Sequence, residues 1–263
     1  MKWGFIGCGN MGGTLAIAAA KNVRDISVSD LDTEKCAAFA AEIGASVSDN
    51  IMIASECDII VLGVKPQMLK EVTEPLRSCL AKRSDFLIVS MVAGIEIAQV
   101  AAFCGTDSRH ILRIMPNLCA AVGKGTILYV ENKENEALVK AYLDGERACG
   151  SFYPIPEKLI DAGSAVSGCG PAFVYMFIES LADGGVFCGL PRALAQNIAA
   201  EMVAGAAEMV LSSGKHPGQM KDEVCSPGGS TIAGVRALEN GAFRADVTDA
   251  VISAAERTKG LGK

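Results

Sequence analysis

Short runs of apolar residues alternate with helical patterns through the first half of the chain. The runs lie at residues 2–6, 26–29, 59–64, 86–90 and 111–114. Strands that are apolar throughout are buried on both faces, and the helices between them supply the cover. The pattern therefore predicts a parallel sheet with helices on either side. Further strand candidates at 126–130 and 151–154, around a helical stretch at 134–148, are expected to complete the sheet. After Pro154 and Pro156 the pattern turns helical, with helices expected at 170–187, 191–212, 230–240 and 244–258. An α/β domain over 1–156 followed by an all-α domain over 157–263 is the organisation this predicts.

The first long helix of the second domain is apolar on most faces, through Phe173, Val174, Tyr175, Met176, Phe177, Ile178, Leu181, Val186 and Phe187. A helix apolar all round must be enclosed, and a domain of about a hundred residues has little with which to enclose it. A subunit interface is one cover; the centre of a monomeric bundle is the other.

Composition narrows the function. Half of the residues are hydrophobic but only 5% are aromatic, so aliphatic and alanine packing builds the core. A formal charge of -6, with no basic block, argues against a nucleic-acid partner. The ten cysteines are spread singly, without a C-x-x-C pair, and read as reduced thiols in a cytoplasmic protein. With only His110 and His216 available, no metal site is expected. The N-terminal apolar run leads straight into glycines, unlike a signal peptide. The longest apolar stretch, 171–178, is too short to span a bilayer core of roughly 30 Å, so no membrane partner is expected.

Chemistry enters at Gly7-Cys8-Gly9-Asn10-Met11-Gly12, between the first strand and a helical run at 14–21. Here the first glycine turns, the second admits a pyrophosphate, and the third lets helix and strand approach. The unpaired N–H groups and the dipole of the helix start favour the phosphates. Such a loop can also be a plain structural turn. Asp30 ends the second strand about twenty residues on, where a carboxylate can accept hydrogen bonds from an adenosine ribose. Leu31 and Asp32 follow it, with no arginine for a 2′-phosphate. Asp30 could instead cap the helix from Thr33. Together these features predict a Rossmann dinucleotide-binding domain using NADH or NADPH. Ile6, Val64-Lys65-Pro66 and Ala93-Gly94 are expected to border the nucleotide, since ligands sit beyond the carboxyl ends of the strands. Pro66 would hold Lys65 extended, although a solvated lysine is the plainer reading.

In the second domain, Cys225-Ser226-Pro227-Gly228-Gly229-Ser230-Thr231 opens a helix, with Ser226 as its expected N-cap and Pro227 as its first residue. A helix start of this kind can hold a carboxylate on backbone N–H groups, or can serve only as a cap.

This segment, taken with the start Phe5-Ile6-Gly7-Cys8-Gly9-Asn10-Met11-Gly12, closely resembles pyrroline-5-carboxylate reductase. The likeness runs through Val64-Lys65-Pro66, Arg113-Ile114-Met115-Pro116-Asn117, Val166-Ser167-Gly168-Cys169-Gly170-Pro171-Ala172, Ala182-Asp183-Gly184-Gly185 and Gly214-Lys215-His216-Pro217-Gly218. It implies reduction of the cyclic imine 1-pyrroline-5-carboxylate to L-proline by NAD(P)H, the last step of proline biosynthesis. It also implies an all-α dimerisation domain and a homodimer or larger homo-oligomer. On this resemblance Thr231 carries the catalytic hydroxyl. Gly229, Ser230 and Thr231 hold the substrate carboxylate, Glu157 stands at the substrate, and Asn50 joins the residues around the nucleotide. By residue type alone, Glu157 could be a solvated acid at a helix start.

The chain departs from the family pattern at Cys169, Leu118-Cys119, Met91-Val92 and Glu223, which bears on pocket shape and cofactor preference. A 3-hydroxyacid dehydrogenase shares the two-domain plan, but it would need a lysine in the helix at 170–187, which has none. A regulator that binds a dinucleotide without turnover would have no use for the Ser-Pro-Gly-Gly-Ser-Thr segment.

Overall fold

The computed structural model describes residues 1–259, so the end of the expected second domain, 260–263, lies outside the described residues. The chain forms two compact units, Met1–Cys169 with the stretch from Ala254 onward, and Gly170–Ser253.

The first unit runs β1 (Trp3–Ile6), α1 (Asn10–Ala20), β2 (Ile26–Ser29), α2 (Thr33–Ile43), β3 (Ser46–Val47), α3 (Asn50–Glu56), β4 (Ile59–Leu62), α4 (Leu69–Thr73), α5 (Arg77–Leu80), β5 (Leu87–Ser90), α6 (Ile97–Cys104), β6 (Ile111–Met115), β7 (Gly125–Tyr129), α7 (Glu136–Gly145), β8 (Gly150–Pro154) and α8 (Ile160–Ser167). The strands form one eight-stranded sheet in the order β3-β2-β1-β4-β5-β6-β7-β8. From β3 to β6 the neighbours are parallel, as the apolar runs predict. The expectation of a parallel sheet fails at β7, which pairs antiparallel with β6. The link over 116–124 is shorter than the dozen or so residues that a parallel crossover requires.

Alternate residues of each strand enter opposite cores. Trp3, Phe5, Ile59, Val61, Leu87 and Val89 pack with Leu15, Val139 and Tyr142 on one face. Ile6, Ile60, Leu62 and Ile88 pack with Ile53, Leu76 and Val100 on the other. A small third cluster of Met115, Leu128 and Ile160 seats α8 on the sheet.

Several boundaries differ from the sequence expectation. Helix α1 begins at Asn10, not 14, because Gly12 lies inside it: a Cβ there would stand 2.1 Å from the Gly7 carbonyl oxygen, so close packing demands the glycine. The stretch 134–148 is helical only as far as Gly145, with 3-10 turns on either side. Strand β3 has two exposed residues and hence no apolar run to betray it.

The second unit holds α9 (Gly170–Phe187), α10 (Arg192–Ser213), α11 (Pro217–Glu223), α12 (Ser230–Asn240) and the start of α13 (Phe243–Lys259). Ala182 of α9 and Ala195 and Ala199 of α10 are buried, whereas Tyr175, Met176, Met209 and Leu211 are exposed and Phe187 is 94% exposed. The single chain thus leaves much of the apolar surface of α9 and α10 uncovered.

Candidate cofactor and substrate sites

At the carboxyl ends of β1, β2 and β4 lies a cleft of about 240 Å³ lined by Ile6, Gly7, Gly9, Ser29, Asp30, Leu31, Asn50, Gly63, Val64, Lys65, Met68 and Val72. It brings together seven of the expected cofactor residues: Ile6, Gly7, Gly9, Asp30, Asn50, Val64 and Lys65. Cys8 in the glycine loop, Asn10 and Met11 in the first turn of α1, and Pro66 at the start of a 3-10 turn do not line the cleft, and Lys65 has extended backbone before Pro66. Ala93 and Gly94 lie elsewhere. Ala93 packs against the cluster that seats α8, and Gly94 lines a separate hollow with Arg113 and Glu157.

The loop fits a dinucleotide. Gly9 is the N-cap of α1 and no side chain caps it, so the first N–H groups of the helix are left for a ligand. A Cβ at Gly9 would meet nothing within 4 Å, which is the open approach a pyrophosphate requires.

Asp30 does not cap the helix from Thr33; Asp32 does, accepting from the Lys35 N–H. Asp30 Oδ2 accepts the Cys8 N–H at 2.7 Å and Oδ1 the Asp32 N–H at 3.2 Å. Beside it, Ser29 Oγ donates to Asn50 Oδ1 at 2.7 Å. Burial, with smaller contributions from Cys36 and Asp30, pushes the Cys8 thiol up to about 12, so it stays protonated beside the cleft. Sequence reasoning missed the wall formed by Ser29, Leu31, Met68 and Val72. Their signal is only an apolar or small residue close to a motif, and most such residues belong to a core.

In the second unit, the segment before α12 differs from its expected form. Ser226 and Pro227 neither cap nor open the helix; α12 starts at Ser230 with Gly229 as N-cap and without a side-chain cap. The Gly229 N–H donates to the Ser226 carbonyl at 3.1 Å and Gly228 has φ +69°, which makes 226–229 a turn with proline second and glycine third. Its left-handed glycine cannot continue into a helix. A Cβ at Gly229 would press on the Ser226 side chain and stand 3.2 Å from the Ser226 carbonyl oxygen, so a larger residue here requires the serine to turn aside and the turn to give slightly. Thr231 is exposed in the first turn of α12. Nearby, Glu223 is held by Lys215 Nζ at 2.8 and 3.0 Å, and His216 Nδ1 accepts the Gly218 N–H at the start of α11.

Glu157 is occupied within the first unit. Its Oε1 accepts the Ile97 N–H at 2.7 Å and Arg113 Nη1 at 3.1 Å. Among the described residues, no group of three or more His, Cys, Asp or Glu is placed to hold a metal ion.

Comparison with known proteins agrees with the geometry. Residues 157–261 match the family described as pyrroline-5-carboxylate reductase dimerisation, and residues 2–94 match NADP oxidoreductase coenzyme F420-dependent. The chain is 39% identical over 266 residues to pyrroline-5-carboxylate reductase of Glycine max, covering 98% of this chain and 95% of that protein. It is 41% identical over 271 residues to that of Escherichia coli (strain K12), covering 100% and 98%. The crystal structure of Plasmodium falciparum pyrroline carboxylate reductase with NADP bound is similar at a TM-score of 0.85 and 35% identity, covering 100% of this chain and 98% of that one. The stretch Glu157–Phe187 is long and apolar enough to cross a membrane by length and composition, beyond what the run at 171–178 suggests. It lies within the range that matches the dimerisation family. The chain belongs to the pyrroline-5-carboxylate reductase family, NAD(P)H-dependent homo-oligomeric oxidoreductases that reduce 1-pyrroline-5-carboxylate to L-proline at the end of proline biosynthesis.

Proposed function

We propose that this chain binds the substrate carboxylate on the N–H groups of Ser230 and Thr231, beside Gly229, and uses the Thr231 hydroxyl at the ring nitrogen. The observation that carries this reading is the uncapped start of α12, left open by the turn at 226–229. Orphan N–H groups and a positive dipole end suit an anion. The same turn sets Thr231 two residues beyond Gly229, beside whatever the N–H groups hold.

When bound, the reduced nicotinamide supplies a hydride. The imine carbon receives it, the C=N π pair moves to the ring nitrogen, and that nitrogen takes up a proton through the Thr231 hydroxyl to become a secondary amine. A threonine hydroxyl is too weak an acid to act as a bulk proton source, but it can donate a positioned hydrogen bond and relay a proton. Holding both reactants in contact supplies much of the acceleration.

The cleft residues Gly7, Gly9, Asp30, Asn50 and Lys65 would hold the nucleotide, with Asp30 at the adenosine ribose. A carboxylate there repels a 2′-phosphate, and Leu31 offers no compensating charge. NADH is therefore served at least as well as NADPH. The ten free thiols suit the reducing cytoplasm as the site of action. The test is imine-dependent oxidation of NADH and NADPH by wild type and by Thr231→Ala. Absence of turnover by wild type with 1-pyrroline-5-carboxylate would remove the reading.

A further inference from the structure

We propose that Glu157 and Arg113 are positioning residues that fix the nicotinamide side of the cofactor cleft by holding the backbone after Gly94 through the Ile97 N–H. The proposal rests on the reading of the cleft as an NAD(P)H site. In a sheet whose order reverses between β1 and β4, the adenosine half of a dinucleotide lies over β1 and β2, and the nicotinamide half over β4 and β5. The segment Val92-Ala93-Gly94 leaves β5 outside the cleft of about 240 Å³, and would face the nicotinamide half where a bound dinucleotide extends past that cleft. It is a loop, with Gly94 at φ +75°, until α6 begins at Ile97.

The start of α6 is tied at two places. Its own capping box joins the Glu96 N–H to Gln99 Oε1 at 3.0 Å. The Ile97 N–H, a first-turn donor without a partner in its helix, is taken by Glu157 Oε1, sixty residues later, at 2.7 Å. That oxygen is fixed in turn by Arg113 Nη1 at 3.1 Å. Arg113 stands on β6, the strand beside β5, and is 3% exposed. Its other terminal nitrogen lies 3.5 Å from Asp161 Oδ1, so two carboxylates four residues apart straddle one buried guanidinium. The same motif holds the far end of α8, where Asn117 Nδ2 donates to the Ser167 carbonyl at 2.9 Å. Glu157 thus joins the loop after β5 to an element pinned at both ends.

An ion pair whose arginine is buried and whose glutamate is partly exposed adds little net stability, because desolvation of the guanidinium offsets much of the attraction. What this pair supplies is a fixed place for a backbone N–H. The resemblance to the family placed Glu157 at the substrate, yet its Oε1 already serves two donors and its charge is met by Arg113.

The experiment compares Glu157→Ala, Glu157→Asp and Glu157→Gln, each checked for folding by thermal denaturation. A misplacement of about 1 Å costs up to roughly 10²-fold in rate. Alanine, and aspartate through its shorter reach, should lower kcat by roughly 10- to 100-fold, with KM for 1-pyrroline-5-carboxylate within about threefold of wild type. Glutamine keeps an acceptor for the Ile97 N–H and should restore kcat to within about threefold. NADH affinity, read from nicotinamide fluorescence without turnover, should weaken by about three- to tenfold in the alanine and aspartate variants only. A rise in KM of about tenfold with unchanged kcat would make Glu157 a substrate ligand and overturn the proposal. Unchanged kcat and NADH affinity in the aspartate variant would overturn it as well. If wild type binds NADH but leaves the imine unreduced, the functional reading fails, and the affinity measurements still decide whether Glu157 sets the loop.

Discussion

The Cys8 N–H donates to Asp30 Oδ2 at 2.7 Å, so the acid at the end of β2 is bonded to the glycine loop while it lines the cleft. The bond fixes the carboxylate at the cleft wall, where on the proposed reading its charge would face the adenosine ribose. Asp30→Asn keeps an acceptor for Cys8 and removes that charge. The ratio of kcat/KM for NADPH to that for NADH should rise by about tenfold in this variant, or roughly 1.4 kcal/mol. Steady-state rates with both cofactors measure it. A wild-type preference for NADPH of more than about tenfold would refute the charge argument.

Thr231→Ala should lower turnover by roughly 10²-fold or more, the low end for a positioned proton donor. Folding and cofactor affinity should barely change, since a hydroxyl at a helix start contributes about 1 kcal/mol. Thr231→Ser keeps the hydroxyl and should retain much of the rate. If the alanine variant keeps nearly full kcat, the proton comes from water or from an imine already protonated in solution.

The helical segment should carry the subunit contact. Phe187 is 94% exposed in the single chain, and Phe173 and Phe177 are only half-buried. Sedimentation at micromolar concentration should show no monomer, and Phe187→Asp should shift the distribution toward smaller species. A folded wild-type monomer that persists would contradict this assignment.

A buried carboxyl gives a pH signature. Glu146 is fully buried, neither of its oxygens has a hydrogen-bond partner, and Tyr142 and Cys149 are the titratable groups beside it. Burial pushes its carboxyl well above the ordinary 4.5, so the folded chain keeps a proton that the unfolded chain gives up above about that pH. Stability therefore falls as pH rises from there toward the folded value. Glu146→Gln should be more stable than wild type, with an advantage that grows by at most about 1.4 kcal/mol per pH unit. Chemical denaturation at about pH 6 and about pH 8 checks this. A pH-independent difference would show that ionisation of Glu146 plays no part.

What the sequence disclosed follows from where the physics is local. Strands buried on both faces are apolar runs, so β1, β2, β4, β5 and β6 could be read directly, as could the glycine loop and Asp30, whose spacing is set by one β-α-β unit. The direction of β7 could not, because it depends on the length of a link and not on any residue in the strand. The turn at 226–229 was misread as a helix start because serine and proline favour both, and only the positive φ of Gly228 decides between them. Glu157 was beyond reach for another reason. Its partners, Ile97 and Arg113, are far away in the chain, and a lone acid near a helix start looks the same whether it is solvated or bonded.

The uncovered face of α9 and α10 bears on how the protein comes into being. A chain whose second unit finds its missing core only on another copy completes folding by encounter, at a rate proportional to the square of its concentration. Dilution then acts as a denaturant does, and the melting temperature should climb as protein is added. In the interval before a partner arrives, Phe187 and its neighbours stay exposed as apolar surface, and that interval lengthens as the concentration of newly made chains falls.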